Sequence, residues 1–201
     1  VFVVEEGTPG FRVTRVEKKM GIRGSTTAAL EFQDCRVPVA NRLGAEGQGF
    51  KIAMQVLDRA RPSVAAIAVG IGQAALDHSL EYAQTREQFG QPIGSFQAIQ
   101  FMLADMAMEI HLARLSYLYA AHLIRTGSER YTLPAAVAKC YASEVAMRAT
   151  TNAVQIFGGY GYIREYPVER LMRDAKITQI YEGTSEIQRI VIANQLLKGQ
   201  A

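Results

Sequence analysis

Hydrophobic positions along this chain change their period once. Up to about residue 46 they fall in short runs with partial alternation, at residues 1–4, Phe11–Val16 and Ala28–Phe32. Gly7-Thr8-Pro9-Gly10 and the glycine-bounded stretch at residues 21–26 punctuate them, which predicts three short strands joined by turns. Three strands with so little apolar surface rarely hold a sheet alone. They are therefore expected to be the closing part of a larger β domain. Val37-Pro38 ends the region, and residues 44–49 predict a flexible joint.

From Phe50 onward the period becomes helical. Val64, Ile67, Ile71, Ala74 and Tyr82 predict one face of a long first helix. Pro62 is expected to kink that helix or divide it in two. After a loop at residues 90–94, the second helix shows the clearest seam in the chain. Phe96, Ile99, Leu103, Met106, Ile110, Ala113, Tyr117, Ala120 and Ile124 alternate three and four apart, and Gly127 ends the run. Pro134 suits the first turn of a third helix. Its face of Ala138, Ala142, Val145, Ala149, Ala153 and Ile156 is small, which favours close helix contact, and Gly158-Gly159-Tyr160-Gly161 stops it. A short helix is expected over residues 167–176. Ser185 with Gln188 matches a capping box, so the last helix should start near residues 184–185 and run to about Lys198, with Gly199 as its stop. The expected fold is mainly α: an up-down-up-down four-helix bundle. It is preceded by a short β segment left from an incomplete β domain. The expected domains are 1–46 and 47–201.

Composition narrows the function. The chain has 201 residues, 49% of them hydrophobic and 20% charged, with a net charge of +3. That balance suits a core-forming soluble protein and an anionic small ligand. No run of basic residues supports nucleic-acid binding. Cys35 and Cys140 lack metal spacing and are expected as reduced thiols in a cytosol-like compartment. His78, His111 and His122 lack ligand spacing as well, so no metal site is expected. The longest apolar run, residues 64–72, is far too short for a bilayer. The chain opens in mid-strand without Met, so a preceding portion and any targeting segment are expected to be absent.

Four constellations carry candidate chemistry. Glu182 stands on a short glycine turn just before the last helix. A carboxylate presented that way can act as a general base, or it can be an ordinary loop residue beside a cap. Arg86-Glu87-Gln88-Phe89-Gly90 places a guanidinium suited to pyrophosphate near an aromatic face suited to a flavin or adenine ring. Equally, Arg86 can simply favour a helix C-terminus. Gln155-Ile156-Phe157-Gly158-Gly159 offers glycines that permit close ligand approach, or only a helix stop. Asp58 and Arg61 share a helix face and can pair locally. Gly70-Ile71-Gly72-Gln73-Ala74-Ala75 imitates a dinucleotide fingerprint. It lies inside a predicted helix with no strand before it, so helix-packing glycines explain it better.

The stretch Arg173-Asp174-Ala175-Lys176, followed by Gln179-Ile180-Tyr181-Glu182-Gly183-Thr184-Ser185-Glu186-Ile187-Gln188-Arg189, resembles the C-terminal signature of the acyl-CoA dehydrogenases. The turn from Arg86 to Gly90 also resembles theirs, as do Gly21-Ile22-Arg23-Gly24-Ser25-Thr26-Thr27 and Asp34-Cys35-Arg36-Val37-Pro38. The resemblance covers essentially the whole chain and is nearest the short-to-medium straight-chain branch. It implies Glu182 as the base that takes the pro-R α-proton of a saturated acyl-CoA while flavin N5 takes the β-hydride, giving the trans-2-enoyl-CoA. It implies a contribution of the Glu182 backbone N–H at the thioester oxygen, and acyl-CoA contacts near Asp58, Arg61, Tyr181 and Gly183. FAD is implied as the cofactor. Arg86, Gln88, Phe89 and Gln97 would reach an FAD bound mainly by a neighbouring subunit, with Gln155, Gly158 and Gly159 on its adenine side. Thr184 and Glu186 would contact the flavin nucleotide of their own subunit.

One branch of the family, typified by isovaleryl-CoA dehydrogenase, carries its base on the first helix. Here Arg59, Ala60 and Arg61 offer no Glu, which supports Glu182. The implied partners are an electron-transfer flavoprotein and further copies of the chain, as a dimer of dimers. The implied compartment is the cytoplasm, or the mitochondrial matrix in a eukaryote. The chain alone is expected to bind FAD weakly, if at all, and to turn nothing over. The alternatives are a non-catalytic helical module assembling through its Ala-rich third helix, and an acyl-CoA oxidase of the same fold.

Overall fold

A computed structural model describes residues 1–128 and 130–199. They form two compact units, 1–57 and 58 onward. In the first, β1 (Phe11–Val16) pairs antiparallel with β2 (Ala28–Phe32), in a register of Phe11 opposite Phe32 that slips by a bulge between Val13 and Arg15. The Phe11 and Phe32 rings stack at 5.0 Å, and Arg12 pairs across the strands with Glu31 at 2.9 Å. The strand expected at residues 1–4 does not form a ladder. Phe2 makes a single bridge to Arg42, flanked by the Val3 N–H donating to Asn41 O and the Leu43 N–H to Val1 O. The reason is local: its partner segment is a 3-10 turn at Val39–Asn41, which offers no continuing row of backbone groups.

The remainder is helical: α1 (Gly49–Thr85), α2 (Gln97–Arg125), α3 (Thr132–Phe157), α4 (Val168–Thr178) and α5 (Ser185–Leu197). The unit division falls inside α1. A tight hairpin of β3 (Glu87–Gln88) and β4 (Gln91–Pro92) reverses the chain between α1 and α2. Pro62 does not divide α1, which continues unbroken through it with Pro62 buried.

Side-chain pairings give the helix directions. Arg114 reaches Gln73 and Arg148 reaches Glu109, so α2 runs against both α1 and α3. Asp58 meets Thr132, so α1 and α3 run together. Phe157 packs on Tyr166 just before α4, while the chain after α4 returns to Lys139. α1 to α4 thus alternate in direction, with the short helix expected before the last one taking the fourth place. Arg189 pairs with Glu144 and Cys140 reaches Ser185, so α5 follows as a fifth helix parallel to α3.

The face expected on α3 is buried throughout: Ala138, Ala142, Val145, Ala149, Ala153 and Ile156. The α2 seam is also placed as expected, with Met106, Ile110, Ala113 and Ala120 buried. The α1 face is shifted. Its core-facing side runs through Val64, Ala65, Ala68, Val69, Gly72, Ala75, Leu76, Ser79 and Ala83, whereas Ile67 is 48% exposed. Small residues carry this face because α3 approaches closely, and they weigh little in a hydrophobic count. Gly72 is a packing glycine: a methyl group there would touch Ile110 at 3.4 Å and the Ala146 backbone at 3.7 Å. Gly70 in the same run faces open space. No described helix is long and apolar enough to cross a membrane.

Two glycines should respond oppositely to alanine. Gly72→Ala meets only ordinary contacts in a helix interior and should be neutral or stabilise by up to about 1 kcal/mol. Gly161→Ala would set a methyl 2.4 Å from the Val154 carbonyl, and should destabilise by about 1–3 kcal/mol. Urea unfolding of both variants checks this; a stable Gly161→Ala would contradict the packing.

Candidate active site

The connection from α4 to α5 is a set of overlapping turns. Ile180 and Tyr181 N–H both donate to Ile177 O, and Ser185 N–H reaches back to Gln179 O at 3.0 Å. Between them the chain enters the left-handed region twice, at Glu182 (φ 52°) and Gly183 (φ 91°). For a residue with a Cβ that conformation costs roughly 1–2 kcal/mol, so the surroundings must hold it. Thr184 is the N-cap of α5, its Oγ1 accepting from Ile187 N–H at 3.3 Å. This corrects the capping box expected at Ser185. Ser185 is already the first helical residue, and its buried Oγ finds no protein partner. Gln188 does not turn back to a cap. It is fully buried, and its Nε2 donates to Gly183 O at 3.0 Å and Glu182 O at 3.3 Å.

Glu182 itself is half-buried. Its Oε2 is buried without a protein hydrogen bond, and its backbone N–H has no acceptor among the described residues. A carboxylate oxygen and an amide donor are thus free on one residue. Tyr181, beside it, has its phenol pushed above the usual range by burial and then by the Glu182 charge. On the exposed side, Glu186 is held below the usual carboxylate range, first by its own backbone N–H and then by the Thr184 hydroxyl.

Behind the turn lies Lys139 of α3, fully buried, its Nζ donating to Gly183 O at 2.6 Å. Burial pulls its ammonium below the usual range; Cys140 and Glu182 oppose that shift, and Arg61 adds to it. Arg61, only 5% exposed, lies with Nη1 2.5 Å from Asp58 Oδ1. That is an ion pair by distance, but the N–H is not aimed at the oxygen, so Nη1 and Nε make no hydrogen bond. Asp58 Oδ2 accepts from Thr132 at 3.0 Å. Lys139 was invisible to motif reasoning. Its one sequence signal is a lone lysine on the alanine face of α3, between Ala138 and Ala142.

A second region brings together Arg86, Gln88, Gly158 and Gly159, which line a cavity of about 500 Å3 with Tyr82 and Phe157. The Arg86 guanidinium lies over the Tyr160 ring, 5.3 Å from its centre. Gly158 adopts φ 59°, and neither it nor Gly159 has a neighbour where a side chain would stand. No residue of the Glu182 turn lines this cavity. Three expected residues stand outside it. Phe89 (φ 54°) is 93% exposed and meets Phe96 edge-on. Gln97 opens α2 and Gln155 lies in the last turn of α3, both exposed.

Residues 47–197 match the family described as "Acyl-CoA dehydrogenase, C-terminal domain". Over 197 residues the chain is 56% identical to the short-chain specific acyl-CoA dehydrogenase of Megasphaera elsdenii, covering 98% of this chain and 51% of that protein. It is 54% identical over 196 residues to the acryloyl-CoA reductase (NADH) of Anaerotignum propionicum, covering 98% and 50%. The three-dimensional structure of butyryl-CoA dehydrogenase from Megasphaera elsdenii superposes with a TM-score of 0.96 at 57% identity, over 98% of this chain and 51% of that one. The chain thus spans about half the length of the relatives it matches.

Burial makes a direct forecast for the two free thiols. Cys140 is 7% exposed, and burial, then Glu144, pushes its thiol above the usual range. The thiolate is the reactive form. At pH 8 the native protein should therefore alkylate at Cys35 well before Cys140, and unfolding should abolish the difference. Peptide mapping after iodoacetamide reads the result; equal native rates would contradict the burial.

Proposed function

The chain belongs to the acyl-CoA dehydrogenase family, and we propose that Glu182 is its catalytic base, working on the Cα–Cβ bond of a short straight-chain acyl-CoA. The carrying observation is the unpartnered, buried Glu182 Oε2 on a turn whose own amide N–H is also free. A base removing a proton next to a thioester needs a desolvated carboxylate and a donor at the carbonyl oxygen. Glu182 supplies the first through Oε2 and the second through its N–H. The turn can face a ligand closely at Gly183, which has no side chain to interpose. Tyr181 and the Asp58–Arg61 pair are assigned to the acyl-CoA side.

FAD is the cofactor of this reading, and the residues present fit part of it. The cavity of about 500 Å3 suits one portion of a dinucleotide. Arg86 has its guanidinium over a ring, with no carboxylate partner among the described residues, and the two glycines leave the backbone open. Arg86, Gln88, Phe89, Gln97, Gln155, Gly158 and Gly159 are proposed to hold an FAD shared with a second copy of the chain. Thr184 and Glu186 are proposed to hold that of their own subunit. Bound FAD supplies the acceptor for the β-hydride. Glu182 takes the α-proton, and the electrons of the α C–H bond become the Cα=Cβ bond. The relatives named for butyryl-CoA and for the short chain support the substrate class.

The relative named as an acryloyl-CoA reductase supports a second direction for the same chemistry. Protonated Glu182 would then return its proton to Cα. The redox partner sets the direction: an electron-transfer flavoprotein for oxidation, a reduced donor for the reverse. The domain boundary is proposed at 46/47; the family match from residue 47 supports it, while the compact units divide at 57/58.

Two outcomes test this. In a protein that joins this chain to the half its relatives also have, anaerobic butyryl-CoA should bleach the flavin absorbance, and octanoyl-CoA should do so less readily. Glu182→Gln should slow the bleaching by ~10²–10⁴-fold with little change in acyl-CoA affinity. Bleaching at the parent rate would remove Glu182 as the base. The 201-residue chain by itself is expected to hold little FAD and to turn nothing over; a tight, stoichiometric flavin on it would contradict the shared-site assignment.

A further inference from the structure

The Glu182 turn is fastened from beneath by two side chains that the proposed reaction does not use. Gln188 Nε2 donates to Glu182 O at 3.3 Å and to Gly183 O at 3.0 Å. Lys139 Nζ donates to Gly183 O at 2.6 Å. Both side chains are fully buried. A carbonyl oxygen has two lone pairs, and at Gly183 each has its own donor, one from α3 and one from α5. We infer that Lys139 and Gln188 form a clamp that positions the catalytic base, anchoring the backbone on the C-terminal side of Glu182 through the Glu182 and Gly183 carbonyls. The inference rests on the assignment of Glu182 as base.

The geometry supports positioning over general packing. Gln188 pins the peptide plane between Glu182 and Gly183, and with Lys139 it pins the next plane too. The two fixed planes flank Gly183 and lock its left-handed conformation, so Glu182 is anchored on its C-terminal side while its N–H stays open towards a ligand. The clamp also costs stability. Lys139 carries a buried ammonium that donates to a neutral carbonyl, and Gln188 Oε1 is buried without a partner. An apolar side chain of similar volume would avoid both costs. A pair of buried polar groups serving stability alone would be better replaced by such residues. Gly183 belongs to the same device, since a methyl there would stand 2.5 Å from Gln188 Nε2.

The test uses Lys139→Met and Gln188→Met, singly and together, in the FAD-loaded protein that joins this chain to the half its relatives also have, with the parent and Glu182→Gln as references. Both single variants should keep their flavin content, their melting temperature or a higher one, and a butyryl-CoA KM within about twofold. Displacing a reacting group by about 1 Å can cost on the order of 100-fold, so kcat should fall ~10–100-fold. The isotope effect with α-deuterated butyryl-CoA should grow, because α C–H cleavage becomes more rate-limiting. The double variant should lose less than the product of the two single losses, since both donors act on one oxygen.

Parent-like kcat and isotope effect in both single variants would overturn the clamp. So would a joint loss of flavin, melting temperature and kcat, which marks a merely structural role. The base assignment fails separately: it is lost if Glu182→Gln matches the parent, whatever the clamp variants do.

Discussion

α3 is the element on which the helical unit from residue 58 onward is built. It is buried along most of its length, and half of its buried residues are alanines, with Lys139, Cys140, Ser143, Val145, Thr150, Ile156 and Phe157 among them. Small side chains let neighbouring helices approach closely, and the close packing then supplies dispersion contacts that the residues themselves are too small to provide alone. α1 meets this face through Gly72, opposite Ala146. α2 meets it through the Ile110 seam and the Arg148–Glu109 pair. α5 lies parallel to it through Cys140, Glu144 and Arg189.

The proposed chemistry depends on that packing. Glu182 occupies a backbone conformation that L-residues avoid, on a segment with no regular hydrogen-bond ladder. Such a residue persists where surrounding structure over-determines it, and those places cluster at functional sites. Here the over-determination comes from α3 on one side and the first turns of α5 on the other. The free groups, Glu182 Oε2 and the Glu182 N–H, sit on that rigid frame. The cavity at Arg86 is built differently, from the ends of α1 and α3 and the hairpin between α1 and α2, so it depends on loops and glycines.

Periodicity made most of this architecture legible. The α2 seam and the small face of α3 could be read residue by residue, since each repeats over many turns. The α1 face could not, because its contacts are made by alanines and Gly72 while Ile67 points away. Residues 1–4 resembled a strand by composition, yet their partner is a turn, a nonlocal fact that no window on the sequence contains. The last cap was displaced by one residue: Ser185 and Thr184 are both good caps, and the choice is made by where Gln188 is buried. Glu182 was found by its segment. Lys139 lies 43 residues earlier in the chain (182 − 139) on another helix, and only the fold brings it to the Gly183 carbonyl.

The central claim is that Glu182 presents its carboxylate to the α-carbon and its amide to the thioester oxygen. The most direct measurement is a crystal structure of the flavin-loaded protein carrying this chain, with an unreactive butyryl-CoA analogue bound. A Glu182 oxygen is expected about 3–3.5 Å from the α-carbon, a near-attack distance, with the Glu182 N–H within hydrogen-bond reach of the thioester oxygen. An analogue seated with its α-carbon against a different carboxylate, or with Glu182 turned away from the ligand, would contradict it.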